Sequence, residues 1–411
     1  MSNITYHGHG PQNFVIGDGH QTVQNGSGTQ NNYYGPVDGT SIQPQGDGNG
    51  RLQSNRARPP SREGFHIGLI CTLPLEYDAV ALQMDEFWDE EGEQYGRARG
   101  DTNTYTTGRI GNHNVVLALL PNMGNVAAAG TAANFRSSYS RLEIAFLVGI
   151  CGGVPGIGST NEALLGDVVI SKTVLPYDFG RQFPSGFVPK DTVDDIPGRA
   201  NRNIRSLVVT LETRFERRRL EKRTGQYLQD LQGAAAREGD QHTYRYPGVA
   251  EDKLLPADYH HKHRAPQMCD ICGGEKNEHC AKAARASCAE LNCDESQLVS
   301  RQRLELKKCQ TPDEAQRPAI FVGRVASGDT VMKSGEHRDQ IAEQHGLIAF
   351  EMKGAGAWDE VPCIIIKGIC DYADSHKNKK WQPFAAATAA SAMKAILERY
   401  AVTDAGTGGR G

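Results

Sequence analysis

The segment IAFLVGICGG, residues 144–153, is a run of apolar residues that ends in two glycines. Its length and its lack of polar alternation predict a strand that is buried on both faces of a sheet. Six further runs share this short, apolar, glycine-bounded character: HIGLICTL (66–73), NHNVVLALLP (112–121), GDVVISKTV (166–174), AIFVGRVASG (319–328), LIAFEM (347–352) and PCIIIKGICD (362–371). Because helical patterns alternate with these runs, the chain is expected to form an α/β fold with a central sheet flanked by helices.

Three segments between and after the strands have helical character. GNVAAAGTAANFRSS (124–138) predicts a helix of small residues that opens at Gly124, and a long polar helix is expected from about Asn201 to Ala234. A final alanine-rich helix is expected from about Pro383 to Arg399 and should pack closely. The basic run RFERRRLEKR (214–223) contains glutamates at helical spacing, which favours a solvated helix face over a phosphate site.

The first 35 residues contain a nine-residue repeat. Its unit, GxGxQxxxx, occurs as GHGPQNFVI, GDGHQTVQN and GSGTQNNYY from residue 8 onward. Glycine turns and glutamine ladders at a strict period predict a β-solenoid or a cross-β stack, with a disordered low-complexity tail as the alternative. The pattern resembles the short amyloid-type signalling motifs of fungal innate-immunity proteins, which template assembly between chains.

The repeat is followed by a Gly-, Pro-, Ser- and Arg-rich stretch over residues 36–64, which predicts a flexible linker. The globular domain is expected over residues 65–401, and residues 402–411 are expected to be a disordered tail. Within the domain, an insertion at about 235–315 interrupts the α/β pattern.

Composition limits the classes of function. The formal net charge is −4, which gives no electrostatic basis for non-specific nucleic-acid binding. The N-terminal sequence lacks a signal-peptide pattern, and no apolar run reaches the roughly 18 residues of a membrane span. Ten cysteines without a secretory signal favour thiols or metal ligands over disulfides, so a cytoplasmic protein is expected.

Four segments place a glycine or a carboxylate at the end of an apolar strand, where an open α/β sheet forms its ligand crevice. They are Leu73-Pro-Leu-Glu76, Val148 to Gly153, Ser327-Gly-Asp329 and Gly368-Ile-Cys-Asp371. Each alone has an ordinary structural explanation as a turn or a helix cap, and Asp374 is interpreted as such a cap. Together they predict one site assembled from distant parts of the chain.

In their order, these segments resemble the nucleoside phosphorylase superfamily, which includes the purine nucleoside phosphorylases and the methylthioadenosine nucleosidases. The resemblance rests on IGLICTLPLEYDAV, MGNVAAAGTAANF, FLVGICGG, LLGDVVIS, ASGDTVM and IKGICDYADSHKNKKW, and covers residues 65–401 apart from the insertion. It implies a mixed central sheet and a trimer or hexamer. ICDYADSHKNKKW is similar to the fungal branch, whose relatives include immune ATP nucleosidases.

The resemblance implies two catalytic carboxylates. Asp371 matches the aspartate that faces purine N7, and Glu76 matches the glutamate that handles the attacking water. A protonated carboxyl helps adenine to leave, and a second carboxylate deprotonates the water that attacks the anomeric carbon. Gly152, Gly153, Val331 and Met332 are expected to form the base-facing wall, although a methionine at such spacing is also common in a core.

Phosphate would distinguish a nucleotide substrate from a nucleoside. The candidate phosphate ligands are cations near the strand ends: His376, Lys377, Lys379, Lys380, Lys333 and Arg338. A solvated loop is the alternative for SHKNKKW.

Residues 350–355, FEMKGA, depart from the family pattern, in which Met-Glu grips both ribose hydroxyls. Met352 is kept, but Lys353 replaces the glutamate. A carboxylate accepts hydrogen bonds from a diol, whereas an ammonium only donates. Either Glu351 takes over the role, or this copy is catalytically impaired, or the lysine was introduced to trap substrate.

The insertion holds a knot of cysteines and histidines in residues 257–295. A CxxC motif followed by further cysteines has the ligand count for tetrahedral zinc. The preferred ligand set is Cys269, Cys272, Cys288 and Cys293, with Cys280, His261 or His263 as possible replacements. Four thiolates leave no open position, so this zinc would be structural; unliganded thiols are the alternative.

The sequence thus predicts an N-glycosyl hydrolase that acts on adenine nucleotides, with ATP preferred, in a fungal-type immune or cell-death response. The alternatives are a phosphate-dependent phosphorylase and a catalytically silent nucleotide-binding protein whose task is assembly through the N-terminal repeats.

Overall fold

The computed structural model describes residues 58–157, 161–184, 186–192, 194–240, 242–265, 268–274 and 279–402. The predicted repeat segment, residues 36–57 of the predicted linker and residues 403–411 lie outside the described residues. Residues 58–64 were expected to end the linker, but they pack on the domain. Arg58 Nε donates to the hydroxyl of Tyr95 at 3.0 Å, and that hydroxyl donates to the carbonyl of Pro59 at 3.0 Å.

The strands, in chain order, are β1 (Ile67–Cys71), β2 (Glu86–Phe87), β3 (Tyr105–Ile110), β4 (His113–Leu119), β5 (Ile144–Gly153), β6 (Gly156–Ile157), β7 (Asn161–Glu162), β8 (Val168–Pro176), β9 (Gly180–Phe183), β10 (Gly186–Pro189), β11 (Ile320–Ser327), β12 (Leu347–Glu351) and β13 (Cys363–Asp371). The helices are α1 (Pro74–Ala81), α2 (Asn125–Ser138), α3 (Arg202–Glu212), α4 (Arg214–Arg237), α5 (Asp270–Gly273), α6 (Gln302–Lys308), α7 (Pro312–Ala315), α8 (Gly335–His345), α9 (Gly354–Trp358) and α10 (Gln382–Leu397).

Nine strands form one mixed sheet in the order β12-β11-β8-β13-β5-β1-β4-β3-β2. Strand β5 runs parallel to β1 and β13, whereas β13 and β8 are antiparallel. All ten residues of β5 are buried, as its unbroken apolar sequence predicts. Strand β12 also pairs with the end of β5, so five strands close into a ring. The predicted α/β architecture with a mixed sheet is confirmed.

Helices cover the sheet on its faces. Helix α10 packs against β13, β5, α1 and α4, and α2 packs against α9. The alanine-rich sequence of α10 explains its close approach, because a Cβ atom on Gly368 of β13 would collide with the carbonyl of Ala385. The predicted tight packing of the last helix is therefore confirmed.

The single long helix expected at 201–234 is wrong, because the chain breaks at Thr213. This residue has an extended backbone (φ −68°, ψ 142°), and its side chain accepts a hydrogen bond from the amide of Glu216, so it caps α4. The sequence Thr-Arg-Phe-Glu carries the usual signature of a helix start.

Between α4 and β11 the described residues form only short helices and irregular chain. This region corresponds to the predicted insertion. None of the described helices is both long enough and apolar enough to cross a membrane.

Candidate active site

The register of three strands brings the predicted site segments together. Asp371 at the end of β13 lies opposite Gly152 of β5, and Phe350 of β12 lies opposite the same glycine. A cavity of about 200 Å³ opens at this point. Its wall includes eight of the predicted residues: Gly152, Val331, Met332, Glu351, Met352, Lys353, Asp371 and Lys377.

The carboxylate of Asp371 is held at the cavity wall by its own loop. Its Oδ1 atom accepts a hydrogen bond from the amide of Ala373 at 2.8 Å and lies 3.1 Å from the Lys377 ammonium. A Cβ atom on Gly152 would lie 2.8 Å from this oxygen and 2.8 Å from the Cβ of Ala373. Glycine at position 152 therefore leaves the space in which the carboxylate sits.

Glu76 lies immediately behind the same wall rather than on it. Its carboxylate accepts hydrogen bonds from the amides of Thr72 at 2.9 Å, Leu73 at 3.0 Å and Ile150 at 2.9 Å. Leu73 and Ile150 are themselves part of the cavity wall, and Glu76 is only 1% exposed. The two candidate carboxylates thus gather at one end of β5.

Two buried lysines lie near Glu76. Burial by itself raises the pKa of the Glu76 carboxyl, but the Lys353 and Lys367 ammoniums, with the amides of Leu73 and Thr72, outweigh it and lower the pKa. Burial also lowers the pKa of Lys353, against the opposing pull of Glu76. Position 353 therefore holds a buried lysine that interacts electrostatically with the candidate base.

Lys367, which is only 1% exposed, was not predicted from the sequence. The available signal was a lone lysine inside the apolar strand IIIKGICD, since a buried charge is rare unless it is paired.

Glu351 lies at the start of α9, where it satisfies two backbone amides. Its Oε2 accepts from the amide of Lys353 at 3.0 Å, and its Oε1 accepts from the amide of Gly354 at 2.7 Å. A carboxylate that is committed to a helix start has less capacity for a ribose diol. The geometry gives no support to Glu351 as a ready replacement for the missing glutamate.

The remaining predicted wall residues differ in their surroundings. Met332 is 6% exposed and Val331 is 47% exposed, and both contribute to the cavity. Gly153 pairs with Ala349 of β12, and a Cβ atom there would lie 2.7 Å from Ile369. Gly153 is thus a packing residue between β5 and β13 and does not line the cavity.

A second and larger cavity, of about 820 Å³, adjoins the first and shares Tyr177, Thr330, Val331 and Met332 with it. Its wall carries several basic side chains and two carboxylates: His260, Lys262, Lys333 and His337, with Asp178 and Glu336. Lys262 was not among the predicted phosphate ligands, because its position depends on how the insertion folds. The cavities therefore adjoin, and the larger one carries the basic side chains.

The other predicted cations have different roles. Arg338 is 2% exposed and donates to the carbonyl of Tyr372 at 2.7 Å. Lys380 pairs with Glu251 at 2.7 Å, and Lys379 is exposed. Asp374 accepts from the amide of His376 at 2.9 Å, so it caps a turn rather than a helix.

Seven cysteines and histidines of the insertion, together with His376 from outside it, form two groups that could each hold a metal ion. They are His263, Cys269, Cys272 and Cys280 in the first group, and His261, Cys288, Cys293 and His376 in the second. The predicted ligand set of Cys269, Cys272, Cys288 and Cys293 is wrong as a single site, because the fold divides it between the groups. His376, expected to contact substrate, points into the second group instead.

Comparison with known proteins matches part of the chain to one protein family. Residues 66–246 match the model of the Phosphorylase superfamily; this range includes Glu76 and ends before Asp371. The chain is similar to a nucleotide-binding leucine-rich repeat (NLR)-like protein of Hyaloscypha variabilis, with 31% identity over 354 residues. The alignment covers 84% of this chain but 30% of that protein, so the chain spans less than a third of its relative.

Solved structures that align with this chain include nucleosidases and a hydrolase. One is the 5'-methylthioadenosine/S-adenosylhomocysteine nucleosidase of Neisseria meningitidis, at 15% identity and a TM-score of 0.45 over 82% of this chain and 99% of that chain. Another is the futalosine hydrolase of Helicobacter pylori, at 13% identity and a TM-score of 0.45 over the same shares.

Proposed function

We propose that this chain, whose residues 66–246 carry a domain of the phosphorylase superfamily, hydrolyses the N-glycosidic bond of an adenine nucleotide, with ATP preferred. The observation that carries the proposal is the convergence of two carboxylates on the end of β5. Asp371 lies on the cavity wall, and Glu76 is bonded to the amides of two wall residues, Leu73 and Ile150.

Asp371 is the proposed leaving-group acid. The departing adenine is a poor leaving group unless its ring is protonated, and a positioned carboxyl that supplies the proton contributes about 10²–10⁴-fold. Lys377 lies against this carboxylate at 3.1 Å. A polyphosphate in the adjoining cavity would attract Lys377, and the released Asp371 would accept a proton more readily.

Glu76 is the proposed base for water, and Lys353 restrains it. A carboxylate that already accepts three amide hydrogen bonds near a cation is a weaker base. The ammonium also replaces the acceptor that a ribose diol needs. We therefore expect this chain to bind nucleotide and to turn it over slowly.

The test is release of adenine from ATP, followed by chromatography. Lys353→Glu should release adenine faster than the natural chain, and Asp371→Asn in either background should reduce the rate by about 10²-fold or more. Equal rates for Asp371→Asn and its parent would refute the assignment. Release that depends on added inorganic phosphate would identify a phosphorylase instead.

Two lysines on the wall of the larger cavity, Lys262 and Lys333, support a nucleotide substrate over a nucleoside. Lys262 and Lys333 can bind phosphate as point charges, so Lys333→Ala should raise KM for ATP and leave KM for adenosine unchanged. Lys222→Ala, on the exposed face of α4, is the matched control. Equal effects on both substrates would show that Lys333 does not bind phosphate.

Zinc is the proposed cofactor, with a structural role in the insertion. Three thiolates and an imidazole in the first group match the ligands of closed structural zinc sites.

The wider setting of the activity is proposed by analogy. The NLR-like name of the Hyaloscypha relative favours a role in a fungal-type immune or cell-death response in the cytoplasm. A trimeric or hexameric body, with further assembly through residues 1–35, fits this role. Deleting residues 1–35 should then reduce the mass seen by size-exclusion chromatography, and an unchanged mass would contradict the assembly role. A catalytically silent assembly protein is the second candidate, favoured by Lys353.

A further inference from the structure

The second Cys/His group connects the insertion to the loop that follows Asp371. His261, Cys288 and Cys293 come from the insertion, whereas His376 lies on the loop itself. The first group, by contrast, takes all its members from residues 263–280. We propose that the second group is a separate zinc site, which fixes the loop of residues 371–377 and thereby positions the candidate acid.

The distances in this group match the edges of a tetrahedron around zinc. Zn–S bonds of about 2.3 Å and Zn–N bonds of about 2.05 Å imply edges of about 3.6 Å for S···N and about 3.3 Å for N···N. The Sγ atom of Cys288 lies 3.5 Å from His376 Nδ1 and 3.7 Å from His261 Nδ1. For Cys293 these distances are 3.9 and 3.7 Å, and the two Nδ1 atoms are 3.2 Å apart.

The outer nitrogen of each ring supports the same assignment. His261 Nε2 lies 2.9 Å from the carbonyl of Ala286, and His376 Nε2 lies 2.6 Å from the carbonyl of Tyr259. A carbonyl only accepts, so both Nε2 atoms carry the proton in the neutral rings, and both Nδ1 lone pairs point into the group. Two lone pairs 3.2 Å apart repel each other unless a cation lies between them, and a carbonyl behind the ring is the usual support of a metal-bound histidine.

The first group shows the same geometry independently. Its Cys269 and Cys280 sulfurs are 3.9 Å apart, and His263 Nδ1 lies 3.4 Å from Cys269 and from Cys272. A disulfide between the two sulfurs would require about 2.05 Å. The two groups thus offer different ligand chemistry: three sulfurs and one nitrogen in the first group, two of each in the second.

Besides the proposed metal bond, the loop has several hydrogen bonds to the insertion. The Tyr372 hydroxyl bonds to Asp252 and Arg301, and His376 Nε2 bonds to the carbonyl of Tyr259. The amide of His261 donates to the hydroxyl of Ser375 at 3.1 Å. Within the loop, Asp371 and Asp374 accept from the amides of Ala373 and His376. A metal bond at His376 is stronger than these contacts. It fixes the chain between Asp371 and Lys377, the two residues that form an ion pair at the cavity.

The first test is the zinc content of the full chain, measured by mass spectrometry of the metal per protein. The natural chain should hold two zinc ions, with an average of 2.5 sulfur and 1.5 nitrogen ligands by X-ray absorption, since five cysteines and three histidines share two ions. A content of one zinc ion per chain, whatever its ligands, would overturn the proposal. This test needs no variant and no catalytic activity.

Variants then assign the second ion. His261→Ala should hold one zinc ion and Cys269→Ala should also hold one, whereas His260→Ala, its neighbour outside both groups, should hold two. The positioning role rests on the proposed function of Asp371, but the measurement that tests it does not depend on that function. Amide hydrogen exchange of residues 371–377 should become about 10-fold faster or more in His261→Ala. In Cys269→Ala this exchange should remain unchanged. Equal exchange in these two variants would refute the positioning role while leaving the nucleosidase proposal open.

Discussion

Gly149 determines where the Glu76 carboxylate can lie. A Cβ atom at this position would clash with the Glu76 carboxylate. The next amide, that of Ile150, donates a hydrogen bond to the same carboxylate. Gly149→Ala should therefore displace Glu76 and destabilise the fold by about 1–3 kcal/mol or more. Urea unfolding measures this cost. Gly156→Ala, which meets no atom within 4 Å, is the control, and equal costs for the two variants would contradict the steric explanation.

Position 353 should control the pH dependence of cleavage. The Lys353 ammonium helps to lower the pKa of Glu76, so Glu76 stays ionised as the pH falls. In Lys353→Glu the cation is lost and an anion is added, which raises the pKa of Glu76. As the pH falls, this variant should lose activity earlier than Lys353→Gln, by about one pH unit or more. The measurement is the rate of adenine release between pH 3.5 and 8. If the rates of the two variants fall at the same pH, the prediction is contradicted.

Single residues were predictable where strand ends determine their place. Asp371, Glu351 and Met332 all reach the cavity wall, because the first two end apolar strands of the sheet and the third lies in the loop after such a strand. His376 was predicted incorrectly, since the direction of its ring depends on an insertion that folds more than eighty residues earlier in the chain. No local pattern in SHKNKKW indicates that partner.

Helices α2 and α9 are joined at their N-termini through Asn125. The Asn125 Oδ1 atom accepts from the amide of Gly356 at 3.2 Å and lies 3.2 Å from the buried hydroxyl of Ser327. Asn125→Ala would leave both groups without this partner, at a cost of about 1–3 kcal/mol. Thermal and urea unfolding should show this loss, whereas Asn203→Ala, exposed on α3, should stay within about 0.5 kcal/mol. A similar result for both variants would show that the link is unimportant.

At the scale of elements, the apolar strands were predicted well and the polar segments less so. Strands β5 and β13 are buried throughout their length, and burial of both faces leaves a clear apolar signature. The break between α3 and α4 and the hairpin of β9 and β10 depend on local capping and turn geometry. Such small local energies have little effect on composition, and the helix-capping pattern at Thr213 was the sequence feature that indicated the break.

A buried ion pair within the insertion also bonds to Tyr372 in the body of the molecule. Arg301 Nη1 donates to Asp252 at 2.7 Å and to the hydroxyl of Tyr372 at 2.5 Å, next to Asp371. Removing one member leaves a buried charge unpaired, so Arg301→Met should cost about 3–5 kcal/mol. The control is Arg219, which is exposed and pairs with the partly buried Glu216, and Arg219→Met should cost less than about 1 kcal/mol.

A double-mutant cycle would isolate this contact. If Arg301→Met is combined with Asp252→Asn, the joint loss of stability should be smaller than the sum of the two single losses. Additive losses would show that the two side chains do not stabilise each other.

The ring formed when β12 bonds to β5 affects how copies of the chain can meet. A sheet normally ends in two rows of free amides and carbonyls that invite another backbone to add itself. Here one edge strand of the nine-stranded sheet, β12, pairs with β5 of the same chain, and the other edge strand, β2, has only two residues. Within the described residues, this sheet therefore gives a second copy little backbone on which to extend it, and neighbours of the folded body should meet through side chains on its helices and loops.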